Sequence, residues 1–132
     1  MRREEGSITV MTIGFLLFIG LLAVVVIDAS AAFLQRQQLD NVADGAALVA
    51  ADGLSREDFY RRGEVALDSG QARQLVAAYV RDPGTRVVRV AVDDDRVHVR
   101  LERSVALALA PPGWASRTTI VSEATAQLRL GE

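Results

Sequence analysis

His98 is the only histidine among the 132 residues, and there is no cysteine. General bases, nucleophiles and metal ligands come most often from these two residue types. Arg96, His98, Arg100 and Glu102 alternate with Val97, Val99 and Leu101. That alternation puts His98 on the charged, exposed face of a strand. No serine stands in a G-x-S-x-G elbow, and no glycine-rich phosphate loop follows a strand. Asp93-Asp94-Asp95 lacks the spacing and the bidentate Glu of a Ca²⁺ loop and reads as a solvated turn. A formal net charge of −2 offers nucleic acid no basic field. The absence of cysteine excludes a disulfide framework and a thiolate metal site. The expectation is a protein that is not an enzyme, with no cofactor, no metal and no small-molecule substrate.

Three other carboxylates carry information. Asp40 and Asp44 lie one turn apart on a predicted helix, where like charges repel by about 0.2–0.5 kcal/mol. A wet face tolerates that cost, and a basic partner would relieve it. Asp28 closes an apolar run. A plain exit into water is the favoured reading, because a carboxylate at a boundary is cheap. Pairing with a basic group on a neighbouring subunit is the alternative.

The apolar run sets the architecture. Ile8–Ile27 reads ITVMTIGFLLFIGLLAVVVI, with no charged residue. Twenty helical residues rise about 30 Å, the thickness of a hydrocarbon core. The run predicts a transmembrane helix, since a helix satisfies its own backbone groups in lipid. A cleaved signal peptide is the competing reading. Arg2 and Arg3 make a basic start, and Ala29-Ser30-Ala31 fits a small-x-small site. The run exceeds the roughly 7–15 residues of a signal core, however, so a retained anchor is preferred. Arg2 and Arg3 precede the span, and after it only Arg36 is basic before Arg56. This bias orients residues 1–7 toward the cytoplasm and the rest of the chain outside.

Beyond the span, no Pro or paired Gly breaks residues 28–52, which predicts a helical stalk continuing from it. Ala32, Gln35, Leu39, Val42, Ala46 and Val49 form a narrow stripe at three- and four-residue spacing. The stripe packs either on the protein's own domain or on neighbouring subunits. Gly53 and Ser55 predict a break, with Ser55 capping a short helix to about Leu67. A further helix is expected over 71–80, stopped by Asp82-Pro83-Gly84. Residues 53–132 then form an α+β domain, with a small antiparallel sheet at its end. Val88, Val90 and Val92 share one face of its first strand. Asp93–Asp95 turns into a second strand from Arg96, which Val105, Leu107 and Leu109 extend. A last strand over 118–130 has small inward residues, so it should lie close under a helix. Trp114, beside Pro111-Pro112-Gly113, is expected to cap the small core; resting at a membrane interface is the alternative.

Several of these residues resemble a known family. Gly6-Ser7-Ile8-Thr9, the apolar run, Val26-Ile27-Asp28-Ala29-Ser30-Ala31-Ala32 and Gln37-Gln38-Leu39-Asp40-Asn41-Val42-Ala43-Asp44-Gly45-Ala46-Ala47-Leu48 are similar to the N-terminal region of TadE/TadG-like pilus-assembly proteins. These belong to the tight-adherence, or Flp pilus, system, and the actinobacterial TadG-related branch is the nearest resemblance. It implies a pilin-like, single-pass protein of the bacterial cell membrane that builds or anchors a pilus. Its partners would be the bilayer and other pilus-assembly or pilin-like membrane proteins. Gly6 and Ser7 would mark a prepilin-type processing site. Asp28, Leu39, Val42, Asp44, Ala46 and Val49 would serve assembly or packing. Prepilins of this class carry Glu at the fifth position after the site; here that residue is Met11. A membrane-anchored sensor or ligand-binding module is the alternative function.

Overall fold

The computed structural model describes residues 5–61, 69–93, 95–107, 109–110 and 113–127. A helix α1 spans Glu5–Arg61, 57 residues without a break, or about 85 Å at 1.5 Å per residue. From residue 6 to residue 27 every side chain except Val24 is exposed. The helix is long and apolar enough to cross a membrane, and nothing in the described chain covers most of that surface.

The predicted break after Asp52 does not occur. α1 runs through Gly53, and the Ser55 hydroxyl donates to the Ala51 carbonyl at 2.8 Å. Ser55 is thus inside the helix and caps nothing. One interior glycine costs about 1 kcal/mol, and burial of Ala50, Ala51 and Leu54 around it outweighs that. The expected end of a separate helix near Leu67 lies outside the described residues.

Helix α2 spans Ser69–Tyr79 and buries Ala72 and Val76. Strands β1 (Thr85–Asp93), β2 (Arg96–Ala106) and β3 (Arg117–Gln127) form one antiparallel sheet in that order. Asp93 pairs with Arg96, which closes a tight hairpin at the acidic turn. Period-two alternation holds in β2, where Val97, Val99 and Leu101 are buried and Arg96, His98 and Arg100 are exposed. The alternation in β1 is interrupted. A bulge between Val87 and Arg89 turns Val88 outward, so Val87, Val90 and Val92 face the core. An extra unpaired residue inverts the alternation on one side of it. β3 turns Ser122 and Ala124 inward, and these small residues let α1 approach. The outer end of the second predicted strand is trimmed, since β2 stops at Ala106; residues 128–130 of the last predicted strand lie outside the described residues.

The core is a helix–sheet sandwich. Leu39, Ala43, Ala46, Ala50 and Leu54 of α1 meet Val97, Val99 and Leu101 of β2 and the inner face of β3, with α2 against α1 and β1. Ser122 donates its hydroxyl to the Asp40 carboxylate across this layer.

A polar network locks the α2–β1 turn to the other elements. The Gly84 amide donates to Asp82 Oδ1 at 3.2 Å, and the Thr85 hydroxyl to Oδ2 at 2.8 Å. Arg103 of β2 pairs with Asp82 at 3.1 Å, donates through Nε to Thr85 Oγ1 at 2.9 Å, and reaches Gln35 of α1 at 3.4 Å. The Thr85 hydroxyl and Gly84 amide, joined by the Arg103 charge, hold the Asp82 carboxyl below its usual range. A depressed folded-state value stabilises the fold above the unfolded-state value, and that contribution is lost as pH falls through the folded one. Asp82→Asn should therefore be less stable than the parent near neutrality. The difference should begin to shrink as the pH drops below about 4 and be lost as it falls through the lowered folded-state value. Denaturant midpoints of the two proteins in detergent across that range check it; a pH-independent difference would contradict it.

Candidate functional site

The candidate residues fall in three places along α1. Gly6 and Ser7 lie exposed at its start. A methyl group on Gly6 would meet nothing within 4 Å. Asp28 is half-buried, and its Oδ1 is shielded from solvent with no hydrogen-bond partner among the described residues.

The stalk stripe divides. Leu39 and Ala46 are fully covered by the protein's own domain, and Val42 is partly buried against the same core. Within this fold those three residues meet the sheet and α2. Asp44 is exposed and Val49 is 38% exposed, so both remain available to another chain. The outer face of the stalk also carries Phe33, Leu34 and Leu48, all exposed. Asp40 and Asp44 part company as well: Asp40 turns toward Ser122, while Asp44 faces out. Their repulsion is thereby eased on one side by a buried hydroxyl.

Two glycines add a constraint that periodicity alone does not mark. A methyl group on Gly45 would come within 2.9 Å of Tyr79 Cζ, and one on Gly53 within 2.6 Å of Leu75 Cδ1. Both contacts are with α2. The glycines bring α2 close to the stalk, two turns apart on one side of it. The available signal is the run Ala43-Asp44-Gly45-Ala46-Ala47, whose small side chains permit close helix packing.

The sheet's outer face forms a shallow groove lined by Arg89, Asp93, His98, Arg100, Glu123 and Thr125. Arg100 pairs with Glu123 at 2.9 Å, and His98 Nδ1 lies 2.9 Å from Thr125 Oγ1. His98 is exposed, as its strand position requires. No cluster of metal-ligating side chains occurs among the described residues. Trp114 does not cap the core: it is 76% exposed. β2 and β3 continue three residue pairs beyond Arg103–Ile120, and this carries the connecting loop well past the buried layer.

Gly45→Leu and Gly53→Leu should each destabilise the domain by about 1–3 kcal/mol through overpacking against α2. Gly45→Ala should be nearly neutral. Tyr79 is 45% exposed and its ring can swing away, while alanine improves helix propensity by up to about 1 kcal/mol. Unfolding followed by circular dichroism in detergent separates the two classes; equal effects of leucine and alanine at Gly45 would contradict the close approach.

Comparison with known proteins bears on the helical part. Residues 6–53 match the family model described as "Putative Flp pilus-assembly TadE/G-like". The match begins at the exposed glycine, covers the apolar run, and ends where α1 passes α2; the sheet lies outside it. No curated protein and no solved structure matches the chain. Over its apolar run and stalk, this chain is similar to the Flp pilus-assembly TadE/G-like family.

Proposed function

We propose that this chain is a single-pass, minor-pilin-like membrane component that assists assembly of a Flp-type pilus or anchors it, of the TadG-related actinobacterial kind. The observation that carries the reading is the coincidence of the family match with the exposed apolar helix and the stalk. A helix of this length, bare over its first half and packed over its second, suits a protein that works from within a bilayer. The role is structural and not enzymatic. The chain's N-terminus lies in the cytoplasm, in keeping with Arg2 and Arg3 before the span. The sheet domain stands on the other side. Lateral partners, other pilus-assembly or pilin-like membrane proteins, would meet the bare span and the outer stalk face around Asp44 and Val49. Gly6-Ser7 would be the processing position, with Met11 in place of the usual acid.

Crosslinking in membranes followed by purification of the full chain tests this. The expected result is recovery of pilus-machinery proteins. Crosslinks that are lost with Leu48→Arg or Val49→Arg, while the sheet domain keeps its stability, would place them on the outer stalk face. A chain that recovers no such protein and binds only a small ligand would contradict the reading and favour a membrane-anchored sensor. The mass of the mature protein adds a second test. A start at Ser7 supports processing at Gly6-Ser7, a start at Met1 or Arg2 keeps the anchor but contradicts that processing, and a start at Ala32 would overturn the anchored reading.

A further inference from the structure

The loop joining β2 to β3 carries Trp114 and Leu109, 76% and 45% exposed. Two cross-links fix where this end of the domain sits along α1. Ser122, opposite Leu101 in the ladder, bonds Asp40; Arg103, two residues further along β2, reaches Gln35. Two strand residues advance about 7 Å, and five helical residues about 7.5 Å. β2 therefore runs alongside α1 in the opposite sense, toward the apolar run, at a matching pace. It continues three residues to Ala106, opposite Arg117. That is a further ~10 Å, or about seven helical residues, which brings this pair level with Asp28. The Leu107 amide then donates to the Ser116 carbonyl at 2.9 Å. Leu109 and Trp114 lie between these two residues in sequence, on the membrane-directed side of that bond.

Burial on α1 agrees with this placement. Val24, Asp28 and Ala32 are half-buried, whereas the other side chains of residues 6–27 are exposed. The three continue the stripe of Gln35 and Leu39 that faces the domain. The far side of α1 stays apolar through Phe33 and Leu34, both exposed. The helix is thus apolar on both sides of Asp28, and the loop carries an indole at about that level.

We propose that this end of the sheet domain is seated in the interfacial layer of the same bilayer that α1 crosses, with Trp114 as its anchor and Leu109 beside it. An indole has an apolar body and a polar N–H, and it partitions to the headgroup level. Headgroups extend a bilayer from about 30 Å of hydrocarbon to about 40–45 Å, and a loop tip level with Asp28, at the end of the span, falls at that boundary. Arg117, exposed at the same level, would offer a guanidinium to lipid phosphates. This second attachment would fix the rotation of the domain about α1 and so the direction in which the outer face of the sheet points. The proposal rests on α1 as a membrane span.

Trp114 is the only tryptophan, so its emission reports this site alone. The full chain is reconstituted at low protein density in vesicles of phosphatidylcholine and phosphatidylglycerol. Flotation with the vesicles tests the span independently of the loop. The expected result is floating protein with blue-shifted emission. Quenching should be strongest with a nitroxide lipid labelled near the headgroup, and acrylamide quenching should be several-fold weaker than for a free indole. Leu109→Asp should restore acrylamide access without loss of flotation. Floating protein with a water-like emission and full acrylamide access would overturn the proposal. Shielding that appears only at high protein density would also overturn it, by showing contact between copies. Protein that fails to float would defeat the span itself, and the proposal with it.

Discussion

The inner face of α1 is the wall on which the rest of the protein is built. Leu39, Ala43, Ala46, Ala47, Ala50, Ala51 and Leu54 retain at most 2% of their surface. A sheet with one apolar face must bury that face against a second layer. α1 supplies that layer. Most of its contributing side chains are methyl groups, so the helix backbone comes close to the sheet, and β3 answers with Ser122, Ala124 and Ala126. Larger residues on both sides would hold the layers apart; smaller ones on one side only would leave voids. Beside Leu39 of α1, the largest fully buried groups are Leu101, Val97 and Val99 of β2 and Val76 of α2. Burial of each contributes about 1.5–3 kcal/mol.

Because the same helix also forms the apolar run, the candidate membrane span and the wall of the domain are one continuous element. No linker separates them. The Gln35–Arg103–Thr85–Asp82 network ties the end of the sheet to α1 about two turns past Asp28. A push or a twist on the sheet is passed directly to the apolar run. The polar, solvent-facing side of the sheet and the outer stalk face are the surfaces the fold leaves open.

Much of this was legible in the sequence, for reasons specific to each element. The apolar run is uncharged over its full length, and only lipid or a large core accommodates such a segment. The alternation in β2 is clean because its two faces differ so sharply, arginine against valine and leucine. The small residues of β3 announce the helix above them. The misreadings arise where local signals compete with packing. Gly53 and Ser55 are ordinary punctuation, yet Leu54 between them is buried, and the helix continues to bury it. Val87 and Val88 stand side by side, so either alternation is open to β1 until the bulge selects Val87. A lone tryptophan beside prolines carries no periodicity at all; only the length of β2 and β3 past the core shows that Trp114 is outside it. Spacing marks Leu39, Val42 and Ala46 of the stalk stripe but does not tell what they meet, and it leaves out Ala43, Ala47 and Ala50, which the fold also buries. The fold covers Leu39, Val42 and Ala46, and leaves Asp44 and Val49 open.

The central claim is that one uninterrupted helix joins the apolar run to the wall of the sheet domain. The distance between spin labels on Leu22→Cys and Leu48→Cys, measured by pulsed electron paramagnetic resonance in bilayers, tests it most directly. Both positions are exposed and the chain has no other cysteine. Twenty-six intervening steps of about 1.5 Å predict a single narrow distribution centred near ~39 Å. A broad distribution, or one centred well below that distance, would show a hinge between membrane and domain and would contradict the account.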